Sequence, residues 1–388
     1  MGKVIPETSV ITFGDRYLPV SVFANTVKML VDSGVVDDMG MSDQMNSFFP
    51  PLLWTTANTP LAALLPDIDS HADGHAMLAY ATAIAPNAKF SLMTDSIRHA
   101  PAELVQSMLT IANITEGRVT YAIGGGEVKQ CRPYGWKRSE GLARLEDLFK
   151  IFHMLWNAKP GELVNYEGHH TTLKNASLGG AKRFRPKLWG LGGGPKLLDL
   201  VTSYCDGMSI AMPLVWKTPE EAAKNIAIIR NMLADKGRDP DQFTFGYCGP
   251  VLLHEDPEVI SRALDNALIR WLAAVFGRVD PAEWAHDGLQ SPWPEGWNYF
   301  MKLVPFDEKP EFVQEVLGKT TRAHAKLSTI NGTPAEVAAK IQPFVDAGMH
   351  WVQTVDYLPL ILTPEDGARA AARSIEVCAR LKGIDSSK

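Results

Sequence analysis

Cysteine is scarce in this chain. Four residues in 388, Cys131, Cys205, Cys248 and Cys378, are scattered, and no two form a Cys-x-x-Cys pair. That disfavours a disulfide framework or a structural zinc site, and a reducing, cytoplasmic setting is expected. No run approaches ~18 uninterrupted apolar residues, so no membrane span is expected. No Lys/Arg cluster is present and the net charge is −6, so nucleic acid is not expected as a partner. The opening stretch, with Lys3, Pro6 and Glu7, has no apolar core, which argues against a signal peptide. A Gly-x-Gly-x-x-Gly fingerprint after the first strand is also missing, which weakens the case for a dinucleotide-binding open sheet.

What remains is an ordinary globular composition, 46% hydrophobic and 21% charged, with a regular alternation of patterns. Short apolar runs at 10–13, 36–41, 89–93, 118–123, 187–191, 207–211, 244–251 and 351–355 read as strands. Nearly all lead into stretches with helical periodicity, among them 21–32, 73–85, 101–114, 138–156, 196–205, 218–236, 256–276, 333–347 and 364–381. Eight β-then-α units require parallel strands joined by crossover helices. An α/β TIM (β/α)8 barrel is therefore expected, with a doubly wound open sheet as the alternative. The whole chain reads as one barrel domain. Insertions at about 42–70, 157–186 and 278–318, and a shorter one at 124–137, break its rhythm, and 164–173 reads as a small hairpin turning at Glu167-Gly168.

A barrel presents chemistry at the carboxyl ends of its strands, which limits the candidates. Ser42-Asp43-Gln44-Met45-Asn46 follows strand two, and is either pocket lining or ordinary turn chemistry. Thr94 and Asp95 follow strand three, facing a pocket or approaching a helix. Gly124-Gly125-Gly126 follows strand four and leaves the backbone bare, so a flat ligand can lie against it, with Glu127 as a general acid at the rim; the alternative is a turn with a solvated Glu. Gly192-Gly193-Gly194-Pro195-Lys196 opens a helix, where free N–H groups, the helix dipole and a lysine make an anion site. The histidines at 71, 75, 169 and 170 lack the pairing after strand one that metal barrels use, so no metal is expected. Trp284, Trp293, Trp297, Tyr299 and Phe300 concentrate in the 278–318 insertion, as a lid over an apolar substrate or as its own packing.

Taken in order, these motifs resemble the bacterial luciferase-like superfamily, TIM barrels that use FMN or the deazaflavin coenzyme F420. The markers are Ser42-Asp43-Gln44, Arg98-His99-Ala100-Pro101, Gly117-Arg118-Val119, Ala122 to Glu127, Gly192 to Lys196, Cys205-Asp206-Gly207, Gly332 to Glu336 and Asp346-Ala347-Gly348. Pro133-Tyr134-Gly135 and the Trp284 to Pro292 stretch are similar to the F420-dependent branch containing phthiodiolone ketoreductase-like proteins. The resemblance implies an F420-dependent oxidoreductase, with FMN as the alternative cofactor, acting on an apolar ketone or enone. An FMN monooxygenase and a non-catalytic F420- or flavin-binding protein are the rival readings. Glu127 matches the acid of the F420-dependent dehydrogenases. Gln44 stands where they carry a His and Phe48 where the glucose-6-phosphate enzyme carries a Trp. A Gln orients a carbonyl but transfers no proton. By the same resemblance Asp43, Thr94 and Gln130 lie near the cofactor. Ser91-Leu92 form a strand bulge with a cis peptide behind the ring, and Gly192, Gly193, Gly194, Pro195 and Lys196 cradle its phosphate. Phe13, Phe48, Trp54, His71 and Trp297 are expected to bound the substrate pocket, and a homodimer is implied.

Overall fold

The computed structural model describes residues 4–12, 16, 18–65, 67–69, 71–180 and 182–384. Its strands are β1 (Glu7–Thr12), β2 (Asp38–Ser42), β3 (Lys89–Asp95), β4 (Val119–Gly124), β5 (Val164–Glu167), β6 (Thr172–Ala176), β7 (Lys187–Leu191), β8 (Gly207–Ala211), β9 (Thr244–Leu253), β10 (Ile330–Gly332) and β11 (Trp351–Asp356). Eight of them close a ring in the order β1-β2-β3-β4-β7-β8-β9-β11, and β11 returns to β1. Every pairing in the ring is parallel. This is the expected eight-stranded barrel. The added strand β10 lies alongside the last three residues of β9. The hairpin β5–β6 stands apart as its own two-stranded sheet.

Local chemistry explains why helices follow strands. Proline occupies the first turn of the helices Pro101–Ile114, Pro195–Tyr204, Pro219–Asp235 and Pro334–Asp346, where its missing N–H removes nothing. Thr218 accepts from the Glu221 N–H, and Thr333 with Glu336 closes a full capping box. The expected helix over 256–276 is two helices, Pro257–Asp265 and Ala267–Phe276. Asn266 ends the first and caps the second, accepting from the Leu268 N–H. Two cores result. The larger fills the space between barrel and helices, with Val27, Leu78, Val105, Phe149 and Ile229 fully buried. The second packs the helix Ala267–Phe276 against residues 42–70 and 278–318, around Trp271, Trp293 and Leu303.

Below the carboxyl ends of its strands, the barrel interior holds a small apolar cluster of Ala122, Trp189 and Trp351 and, beside it, a buried polar cluster. Asp38 accepts from Ser9 and Ser91 hydroxyls at 2.6 Å each, and Gln353 donates to Ser9 at 2.9 Å. Gly40 is required there, because a Cβ would stand 1.9 Å from the Gln353 amide nitrogen. Burial, opposed by the two serine hydrogen bonds, pushes the Asp38 carboxyl up to about 6. This layer plugs the barrel floor, so any ligand sits above it.

Candidate active site

Above that floor the carboxyl ends of the strands enclose a cavity of about 750 Å³. Gly125, Gly126 and Glu127 after β4 share its wall with Gly192, Gly193, Gly194, Pro195 and Lys196 after β7. The two turns are neighbours because β4 and β7 pair directly. Asp43, Gln44, Phe48, Thr94 and Gln130 complete the polar and aromatic side, and Phe276, Tyr299 and Phe300 close the side under the insertion. Gly126 has φ +76° and Gly192 φ +125°, which L side chains rarely adopt. At Gly193 a Cβ would come within 2.4 Å of Val215, so main chain and neighbouring wall are already in close contact.

Asp43 is the hub at the end of β2. It is 5% exposed and takes hydrogen bonds from Arg98 and Thr94 at 2.7 Å each, with the His99 ring nitrogen at 3.0 Å. Burial opposes its charge, but His99, Arg98 and Thr94 outweigh that and hold the carboxyl far below the usual range. Arg98 is itself anchored to Asp95 at 2.5 Å. Asp43, His75 and His99 bring ligand atoms within 4.8 Å of one another, a geometry open to a cation. Arg98 already supplies positive charge to the same Asp43 oxygen, which disfavours a metal there. Burial keeps the His75 ring toward its neutral form despite Asp43.

Glu127 is different. Its side chain is 23% exposed on the cavity wall, with Lys129 Nζ at 3.3 Å and the Tyr299 hydroxyl hydrogen-bonded to it. Gln44 donates its amide to Ser42 Oγ at 2.7 Å, which steadies it at the rim. Gln130 spends its carbonyl on the Met45 N–H at 2.7 Å, so it holds the loop after β2 as well as lining the cavity. Residue reasoning overlooked Lys129 and Arg138, both beside Glu127. A lysine in the otherwise uncharged turn 128–131 was the available signal.

Other expected residues lie elsewhere. Strand β3 runs without a bulge, in continuous register with β2 and β4, and among the described residues the cis peptide is Met212–Pro213, not Ser91–Leu92. Ser91 points down to Asp38, and Leu92 is fully buried in the larger core, because alternate strand residues face opposite sides. Trp54 donates its indole N–H to the Leu65 carbonyl and packs on the second core. Trp297 stacks on Trp293 with centroids 3.5 Å apart, making it insertion packing rather than pocket wall. His71 is off the cavity wall; burial, aided by Lys129 and Arg16, lowers it to about 4. Phe13 lies outside the described residues.

Comparison with known proteins adds a lineage. A family model described as luciferase-like monooxygenase matches residues 62–350. The chain is 25% identical over 325 residues to the phthiodiolone/phenolphthiodiolone dimycocerosates ketoreductase of Mycobacterium tuberculosis (strain ATCC 25618 / H37Rv), covering 82% of this chain and 84% of that one. It is 25% identical over 288 residues to the F420-dependent glucose-6-phosphate dehydrogenase of Kineococcus radiotolerans, covering 72% and 76%. The solved structure of an F420-dependent secondary alcohol dehydrogenase in complex with an F420-acetone adduct superposes with a TM-score of 0.71 at 18% identity, covering 96% of this chain and 99% of that one; at that identity the likeness concerns the fold.

Proposed function

The chain belongs to the luciferase-like monooxygenase family, and from that premise we propose that it is an F420-dependent oxidoreductase reducing an apolar ketone or enone. One observation carries the reading: the two glycine turns and Glu127 open into a single cavity of about 750 Å³, the size of pockets that enclose cofactor-sized ligands. The names of the F420-dependent dehydrogenase and the ketoreductase among its relatives add support. The residues fit such a cofactor. Gly125 and Gly126 present bare backbone to a planar ring. The first-turn N–H groups of the helix Pro195–Tyr204 have no intrahelical acceptor and, with Lys196, suit its phosphate. When bound, the reduced deazaflavin supplies a hydride. Gln44 orients the substrate oxygen, Glu127 holds the proton that oxygen takes, and Phe48, Phe276 and Phe300 exclude water around it. The whole chain acts as one barrel domain, and a homodimer in the cytoplasm is part of the same reading.

Anaerobic mixing with reduced F420 and a panel of apolar ketones and enones tests this. Oxidation of the cofactor in step with alcohol or saturated product is expected. The family's own description favours a second reading, an FMN-dependent monooxygenase. Product formed only with reduced FMN and dioxygen would establish that reading in place of the first.

A further inference from the structure

Lys129 stands two residues past Glu127 on the short helical turn Val128–Cys131 and is 1% exposed. Its Nζ lies 3.3 Å from Glu127 Oε2, donates to the Asn46 backbone oxygen at 2.6 Å, and sits 3.8 Å from the centroid of the Phe48 ring. All three contacts lead to the cavity. Glu127 and Phe48 line it, and Asn46 continues the loop that carries Gln44. The next residue, Gln130, grips that loop a second time through the Met45 N–H. A buried cation is a poor way to stabilise a fold, since an apolar side chain of equal volume commonly serves as well or better. Burial also works against the ammonium here, with Glu127 the main group opposing that effect.

We propose that Lys129 is a positioning residue for Glu127: its ammonium fixes the carboxyl at the cavity wall, ties it to the loop bearing Gln44 and Phe48, and supplies the positive charge against which Glu127 gives up its proton. The proposal rests on the redox reading above. In ketone reduction the hydride pair bonds to the carbonyl carbon and the C=O π pair moves onto oxygen. That oxygen takes the proton from Glu127, and the negative charge left on Glu127 faces Lys129. The other groups turned toward Glu127 are Tyr299 from the insertion, Tyr357 after β11, and Arg138. Lys129 in turn also senses Arg98 and Asp69. None of them joins the acid to the loop after β2 as Lys129 does.

The readout of the Lys129–Glu127 coupling needs neither substrate nor cofactor. Infrared difference spectra of the full chain across pH read the Glu127 carboxyl band, identified by its disappearance in Glu127→Gln. In Lys129→Met the band should titrate ~1–3 pH units higher than in wild type, because an opposite charge within a few ångströms has been removed. Lys129→Arg, which keeps the charge, should return the titration toward wild type. Lys129→Gln, polar and uncharged, gives the same reading should the methionine variant fail to fold. A titration in Lys129→Met or Lys129→Gln that overlays wild type overturns the proposal. F420 is titrated into wild type in parallel: a displaced carboxyl titration without F420 binding would sink the F420 reading while leaving the Lys129–Glu127 coupling standing.

Discussion

Asp43 and Glu127 leave neighbouring parts of the same barrel rim, and both carry a carboxyl beside buried cations. Their surroundings separate them. Asp43 is enclosed by Arg98, His99 and Thr94, with the Gly74 N–H at 3.4 Å, so its oxygens are committed to protein donors. Glu127 has Lys129 and Tyr299 behind it and the cavity in front. A carboxylate wrapped in donors organises structure, whereas one with an open side is available to a reacting group. The end of β2 therefore reads as the frame of the site and the end of β4 as its working edge.

Substitutions can break that contrast. The largest effect is expected from Glu127→Gln, which should lower turnover of reduced F420 by ~10²–10⁴-fold in steady-state assays while leaving cofactor affinity largely intact. Asp43→Asn should act mainly on the stability of the fold. Removing the charge opposite buried Arg98 is expected to cost about 3 kcal/mol in urea unfolding, at the low end for a broken buried pair because Asp95 still holds Arg98. Since the folded-state pKa of Asp43 is depressed, its contribution is present above the unfolded carboxyl value of ~3.9 and is lost as pH falls below it. The mutant should therefore lose part of the wild-type acid sensitivity.

Asp38 sharpens the comparison from the opposite sign. Burial raises it to about 6, so between pH ~4 and ~6 the folded form holds a proton that the unfolded form has released. Stability should fall as pH rises through that window. Asp38→Asn should flatten the slope and gain up to about 3 kcal/mol at pH 7, as read by urea midpoints at each pH. The smallest effect is expected at Gly193→Ala. Its Cβ would press on Val215 at 2.4 Å, and F420 binding should weaken about tenfold, or ~1.4 kcal/mol, by fluorescence titration, with Glu127 chemistry otherwise unchanged.

Much of the barrel was legible because buried parallel strands are short apolar runs and their helices repeat with a 3.6-residue period. Strand β10 was not, since Ile330, Asn331 and Gly332 are too few to show any period and pair only at the end of β9. The break at Asn266 was hidden by apolar residues on both sides of it. Both glycine turns were visible as local composition, and they do share one cavity. Ser91 and Leu92 were expected at the cofactor on the strength of family likeness alone; strand alternation turns Leu92 outward, and Ser91 is held below the cavity by Asp38. The insertion's tryptophans signalled burial, but composition carries no direction, so the stacked Trp293–Trp297 pair could not be distinguished in advance from a pocket wall. Lys129 escaped notice because a charged residue in a turn ordinarily reads as solvated.

The central claim is that the two bare turns after β4 and β7 hold a deazaflavin in one cavity. Parallel equilibrium titrations of the purified chain with F420 and with FMN test it most directly. The account expects saturable F420 binding, clearly tighter than that of FMN and weakened by Gly193→Ala. Tight FMN binding with no binding of F420 would contradict it.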